Sequence, residues 1–302
     1  MFDFIFSENF LVCSISYALP IVFAAYAALI SNKAGIININ IEGAMSVSAV
    51  TGALISYFTG SWIIGTLCAV CAGILMSLML SFAAIRLRTD SFLSGIALNT
   101  LATGLCVLIL QTTLGVKGDS SAAPSVMIPS ISIPVLSKIP VIGRALFAQN
   151  LLFYVAVLTL ILLCFLLKRT KLGTYIRAVG YNEKAAASVG ISTAGTKRIA
   201  LILCGALAGL GGANLSMVSL GYFSAGMVGG RGFIGIAAEA MGAGNPVLIT
   251  LFALLFGAVD YFAVGAQTVL SIPYELLNTL PYILTLVAMV ICSLAIRKKK
   301  QL

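Results

Sequence analysis

Three carboxylates stand where the chain is otherwise apolar: Glu42, Glu239 and Asp260. A charge at the centre of a membrane span costs roughly 2.5–3.5 kcal/mol on insertion scales, so acids in such surroundings face a polar pathway or a partner. Their chemistry would be hydrogen bonding to a polar solute, or proton uptake and release. No basic residue within the apolar stretches is an evident partner for them. Segment 37–43 reads I-N-I-N-I-E-G, with apolar and polar residues alternating. In a helix Asn38 and Glu42 would share a face while Asn40 pointed away; in an extended stretch all three would point the same way. Extended backbone at membrane depth is tolerated only where it is buried in protein or lines a wet cavity. Two readings are open: a broken helix whose Asn38, Asn40 and Glu42 face a polar pathway, or an interfacial loop with Lys33 at the surface. Asn99, alone in an apolar run, could bond a neighbouring helix or a solute; helix bonding is the more frequent use.

Other chemistries are excluded by what the chain lacks. There is no His, so the commonest acid/base residue and metal ligand is missing. The seven cysteines lie in apolar stretches, and Cys68 and Cys71, a C-x-x-C inside an apolar run, read as small packing residues. Residues 230–235 match G-x-G-x-x-G, but no strand precedes them, so the match is a decoy for nucleotide binding and the glycines read as a helix break. No G-x-x-x-x-G-K-[ST] occurs. Without a nucleophile–base pair or a metal cluster, a membrane enzyme is the weakest hypothesis.

The elements that must hold these residues follow from composition. Of 302 residues, 60% are hydrophobic and 9% charged, against about 45–50% and about 25% in soluble domains. A water-facing shell cannot be built from so few polar residues, so the solvent is a bilayer. The net charge of +9 sits in short basic clusters between apolar runs, the pattern that sets membrane orientation and not that of a nucleic-acid binder. The N-terminus carries Asp3 and Glu8 but no basic n-region, so the first run is expected to remain as a span. Runs of about 20 apolar residues predict spans at 10–30 (with a kink at Pro20), 41–58, 62–85, 91–114, 151–167, 199–220, 246–265 and 276–296, with a short crossing at 233–241. The expected fold class is all-α, a polytopic membrane protein of eight to ten transmembrane helices, some short or broken. With the RKKK tail in the cytoplasm, 14 basic residues fall inside and Lys117, Lys138, Arg144 and Arg231 outside. This bias supports nine crossings, a cytoplasmic C-terminus and an external N-terminus; if 233–241 does not cross, the parity breaks and the N-terminus moves inside.

Two further stretches have structural meaning. The run GALAGLGGA places Gly205 and Gly209, then Ala208 and Gly212, on one small-residue face for close helix packing. Within the basic loop 168–198, residues 181–190 read as a short surface helix. Asn182 is the N-cap, Glu183 suits the positive helix end, Ala185, Ala186 and Ala187 favour helix, and Gly190 is the C′ stop. Its smooth Ala face could dock in a partner's groove, or the helix could be a plain connector.

Taken together, the motifs resemble permease subunits of ABC importers for branched-chain amino acids, simple sugars and nucleosides, most nearly the nucleoside type. The matching stretches are AGIININIEGAMSVSAVTGA (34–53), SGIALN (94–99), LGTYIRAVGYNEKAAASVGIS (172–192), LCGALAGLGGA (203–213), GFIGIAAEAMGAGNP (232–246) and LLNTLPYILTLVAMV (276–290). The resemblance implies a type II-like fold and a single transmembrane permease domain over 1–302, with an extracellular loop at 115–150 and a cytoplasmic coupling loop at 168–198. It implies that Tyr181, Asn182, Glu183, Lys184, Ala185, Ala186 and Gly190 seat on a separate ATP-binding cassette subunit. Asn38, Asn40, Glu42, Asn99, Arg231 and Glu239 become candidates for the substrate pathway. The implied partners are that ATPase, a second permease subunit (the same chain or another), an extracellular substrate-binding protein, a nucleoside and membrane lipid. No nucleic acid, cofactor or metal is implied, and the site is the inner or plasma membrane. Tyr26, Tyr222, Phe223 and Tyr261 could stack on a base, or could be belt and packing aromatics. Competing hypotheses are an importer of branched-chain amino acids or a pentose, with Arg231 as the base for a carboxylate, and a proton-coupled secondary transporter working through Glu42, Glu239 or Asp260.

Overall fold

The computed structural model describes residues 8–132 and 148–269, together with Ile283 and Val290. The expected span at 276–296, those two positions apart, the RKKK tail, Lys138 and Arg144 lie outside the described residues. Among the described residues the chain forms helices α1 (Glu8–Lys33), α2 (Ile41–Thr59), α3 (Trp62–Ser81), α4 (Ser91–Leu114), α5 (Leu151–Arg169), α6 (Lys171–Tyr181), α7 (Glu183–Ser188), α8 (Thr193–Asn214), α9 (Arg231–Met241) and α10 (Pro246–Val269). Helices α3 and α8 each continue into a π turn, Phe82–Arg86 and Leu215–Ser219. Seven of these stretches are long and apolar enough to cross a membrane, and they coincide with the seven long spans expected over the same residues. Helix α9 has 11 residues, about 16 Å, which is half the hydrocarbon thickness.

The ends of the helices follow local chemistry. Asp90, Asn150, Thr170, Asn182 and Ser192 each accept a backbone N–H of the first turn that they cap, satisfying donors that would otherwise be left without partners. Two strands were not foreseen. β1 (Ser130–Ser132) pairs antiparallel with β2 (Ala148–Asn150) in the Pro-rich segment, in the register Ser130 opposite Asn150. The basic loop is also more ordered than expected: an amphipathic helix, α6, precedes α7, and α8 starts at Thr193.

Helices α1, α2 and α8 form the centre. The apolar window of α8 is 72% buried, against 22% for α4 and α5. α8 packs on α3, α2 and α1, while α9 and α10 pack on α1 and α4 lies on α2. The small-residue face of α8 works as the spacing predicts. A Cβ on Gly205 would stand 2.5 Å from the Gly73 carbonyl oxygen of α3, and one on Gly209 would stand 2.7 Å from Val70 Cα.

The two faces of the bundle differ. Residues Gly35, Arg88, Asn182 and Lys197 line one groove of about 950 Å³, so the end of α1, the turn after α3 and the 168–198 segment share a basic face. The side chain of Lys33 lies against Gly244, which brings the turn between α9 and α10 to the same face. On the opposite face, 118–128 runs along 216–225. Ser120 N–H donates to Phe223 O, Ser125 N–H to Gly221 O and Ile128 N–H to Met217 O.

Candidate functional site

The chain between α1 and α2 enters the bundle without helical structure over 36–40. Ile36, Asn38 and Asn40 are buried while Ile37 is 56% exposed. The period-two pattern therefore turns both amides inward, but into helix contacts. Asn38 Nδ2 donates to Cys204 Sγ at 3.0 Å, and Asn40 Nδ2 to the Met76 carbonyl at 3.0 Å. Neither amide lines the cavity that Glu42 lines.

Glu42, in the first turn of α2, has a different surrounding. Its Oε1 accepts the Gly230 N–H and its Oε2 the Gly232 N–H, both at 2.8 Å. The glycine-rich break thus delivers the N-terminus of α9 to a carboxylate of the same chain. This is the usual placement of an anion at a positive helix end. Gly232 is required there, because a Cβ would meet Glu42 Oε2 at 2.7 Å and Glu42 Cα at 2.8 Å. The G-x-G-x-x-G glycines serve helix geometry, and the element that leads into them is the π turn Leu215–Ser219, not a strand.

Asn99 lies eight residues into α4, about 12 Å from the start of that helix. Its Oδ1 accepts the Gly43 N–H at 2.8 Å and its Nδ2 donates to Ile39 O at 3.0 Å. It stitches α4 to the break before α2, and it also borders the space beside Glu42. That space is a cavity of about 470 Å³ between α2, α4 and 223–233, within the range of small-molecule sites. Glu42, Ser46, Asn99, Thr103, Phe223 and Phe233 are among its lining. Sequence reasoning named Glu42, Asn99 and Phe223 but missed Ser46, Thr103 and Phe233. The signal was present for Thr103, which stands at i+4 from Asn99 on one helix face.

The expectation that the intramembrane acids have no evident partner is corrected. Arg231 Nη2 and Nε reach Asp260 Oδ2 at 2.8 and 3.1 Å, and both side chains are below 20% exposed. Sequence distance hid this pair, which closes only because α9 and α10 both pack on α1. The guanidinium also donates to the Met227 and Val228 carbonyls. It borders a separate cavity of about 300 Å³ with Tyr17 and Leu215, one that Glu42 does not line. Glu239, on the Lys33 side of the bundle, accepts from Asn32 Nδ2 at 2.7 Å. Of the aromatic candidates, Tyr26 is buried and hydrogen-bonded to Thr250, and Tyr261 packs on Phe10 and Tyr17.

On the basic face, Asn182 caps α7 by accepting the Ala185 N–H at 3.1 Å, and Lys197 donates to Glu183 at 2.6 Å. That hydrogen bond holds the Glu183 carboxyl below its ordinary pKa. Gly190 adopts the left-handed conformation at φ 84°, which ends the helix. Every residue of 181–190 except Ala186 is exposed, Tyr181, Lys184, Ala185 and Ala187 among them. Ala186 is 4% exposed and faces the protein, whereas Val189 is 73% exposed. The small Ala face is thus split, and the outward apolar knobs are Tyr181 and Val189.

Comparison with known proteins agrees with this architecture. The chain is similar to the nucleoside ABC transporter permease protein NupC of Lactococcus lactis subsp. cremoris (strain MG1363), with 32% identity covering 90% of this chain and 88% of that one. It is also similar to the guanosine ABC transporter permease protein NupQ of Bacillus subtilis (strain 168), at 32% identity and the same coverage. Its fold resembles a chain of PsaBC from Streptococcus pneumoniae, solved in complex with Fab, at a TM-score of 0.54 and 12% identity, covering 95% of this chain and 93% of that chain. Residues 10–292 match the family described as branched-chain amino acid transport system / permease component, and the chain, a multi-pass membrane protein, belongs to that family.

Proposed function

We propose that the whole chain is one permease half of an ATP-driven ABC importer that moves nucleosides through the cell membrane. The basic face and the C-terminal tail are cytoplasmic, and the N-terminus is external. Helix α7, with Tyr181 and Val189 beside it, seats on a separate ATP-binding cassette subunit. A second permease subunit completes the path, and an external binding protein delivers the solute. ATP binding and hydrolysis on the partner rock the two halves, so that the path alternates between sides.

The cavity at Glu42 carries this reading. Its polar lining holds an acid and, among the described residues, no Lys or Arg, which suits a neutral solute that donates hydrogen bonds. The names borne by the two bacterial relatives support nucleosides as that solute. A branched-chain amino acid would bring a carboxylate toward Glu42, and Arg231, the base expected to receive it, is neutralised by Asp260. The test is reconstitution with the ATPase, the second permease and the binding protein, followed by uptake of labelled uridine, adenosine, leucine and ribose. ATP-dependent nucleoside uptake is the expected result. Uptake driven by a pH gradient without ATP, or ATP-driven leucine uptake that nucleosides fail to inhibit, would refute it.

A further inference from the structure

The cavity beside Glu42 has a polarity that its residue types alone do not reveal. Asn99 spends one of its two Nδ2 protons on Ile39 O, and its Oδ1 accepts the Gly43 N–H. The hydroxyls of Ser46, Thr100 and Thr103 each donate to a carbonyl four residues back on their own helices, at 3.0, 3.2 and 3.1 Å. A hydroxyl has one proton to give, so what these groups still offer is lone pairs. The Gly230 and Gly232 N–H groups hold the two Glu42 oxygens from the α9 side, and the Phe233 N–H bonds the same carboxylate. An ionised carboxylate has about four acceptor sites, so it keeps about one. Glu42 itself is only partly buried and borders the cavity. The polar side-chain groups around the space are therefore mostly acceptors, one Asn99 N–H apart, and the strongest of them is on a fixed carboxylate. Phe233, 44% exposed, supplies an apolar ring to the same cavity.

Resting on the nucleoside reading above, we infer that this cavity is a ribose-reading subsite: the Glu42 carboxylate accepts a ribose hydroxyl, and Phe233 faces the base. A ribose hydroxyl presents an O–H donor, which matches a carboxylate whose other lone pairs are taken by backbone N–H groups. An acid accepting from a ribose hydroxyl is established chemistry in dinucleotide sites. The same arrangement rejects acceptor-rich or anionic relatives of the solute. A 5′-phosphate would bring charge toward a carboxylate in a low-dielectric space.

The test uses the complex of the full chain with its ATPase and second permease subunit, solubilised in detergent, with no binding protein. Labelled adenosine is displaced by adenosine, 2′,3′-dideoxyadenosine or adenosine 5′-monophosphate. Adenosine is expected to compete at least about tenfold better than either analogue, since hydrogen bonds to a charged acceptor are the strong kind. Glu42→Gln is expected to close the gap between adenosine and the dideoxy compound to within about twofold, while Glu42→Asp, which keeps the carboxylate, retains most of it. If Glu42→Gln does not fold, the wild-type series decides. Equal displacement by adenosine and the dideoxy analogue, or ATP-driven adenosine uptake without saturable binding, overturns the subsite and leaves the nucleoside reading standing. Absence of both binding and uptake of adenosine removes the two together.

Discussion

Replacing Gly205 by Ala tests the central packing of the bundle. The added Cβ would sit 2.5 Å from Gly73 O and 2.8 Å from both Ile74 Cα and Ser77 Cβ. Two of these atoms are backbone, so no rotamer change relieves the clash. Since real Cβ atoms essentially never approach closer than 3.0 Å, α3 and α8 must separate by at least about half an ångström in a close-packed interior. Overpacking of this kind costs about 1–3 kcal/mol, a fall of several degrees in melting temperature at about 2–4 °C per kcal/mol. Gly104 is the internal control. It lies in the interior of α4 with nothing within 4 Å of its would-be Cβ, so Gly104→Ala should raise stability by about 0.5–1 kcal/mol through backbone entropy and helix propensity. The assay is thermal unfolding of the purified permease in detergent, wild type against each variant. If Gly205→Ala melts with wild type, or if Gly104→Ala falls as far as Gly205→Ala, then the close crossing is not what holds α3 to α8.

Removing either partner of the Arg231–Asp260 pair leaves a mostly buried charge without its counterion. Arg231→Met and Asp260→Leu should each destabilise by about 3–5 kcal/mol, and the double variant by clearly less, in a thermal double-mutant cycle; additive losses would contradict the pairing. Because Lys197 lowers the folded-state pKa of Glu183, the stabilisation is present above the ordinary glutamate pKa of about 4.3 and is lost as pH falls through the depressed value. Amide protection over 185–188 should therefore hold from pH 7 to pH 5 and drop only below about pH 4, a step that Glu183→Gln should lack. On the docking surface proposed for α7, Val189→Asp should weaken ATPase co-purification without lowering the melting temperature of the permease. Ala186→Trp should lower that temperature, because Ala186 faces inward; the reverse pattern would invert the assignment of the two faces.

The long helices were legible because a span needs only length and apolarity, both local properties. Helix α6 escaped because it is amphipathic and short, so its 11 residues merge with the basic segment around them. The strands β1 and β2 escaped for a similar reason, since three residues each carry no periodicity. The inward turn of Asn38 and Asn40 was readable from alternation. Their partners were not, because Cys204 and Met76 reach them only through the packing of α8 and α3. The same holds for Glu42, whose type announced a polar partner while the identity of that partner, the N–H groups of a glycine-rich helix start 188 and 190 residues away, is a property of the assembled bundle. The Ala face of α7 misled in one position, since a run of identical side chains does not reveal which of them faces in.

The two π turns have a consequence for how this chain can change length. In Leu215–Ser219 the Leu220 N–H reaches back five residues to Leu215 O at 3.2 Å, and in Phe82–Arg86 the Leu87 N–H reaches Phe82 O at 3.1 Å. Each holds one residue more than an α turn would use. Deleting a residue inside an ordinary transmembrane helix rotates everything beyond it by about 100°. Deleting one here can instead be absorbed by closing the wide turn into a regular one, so these are, among the described residues, the two points at which a helix could shorten by a residue without passing a rotation on to its neighbours.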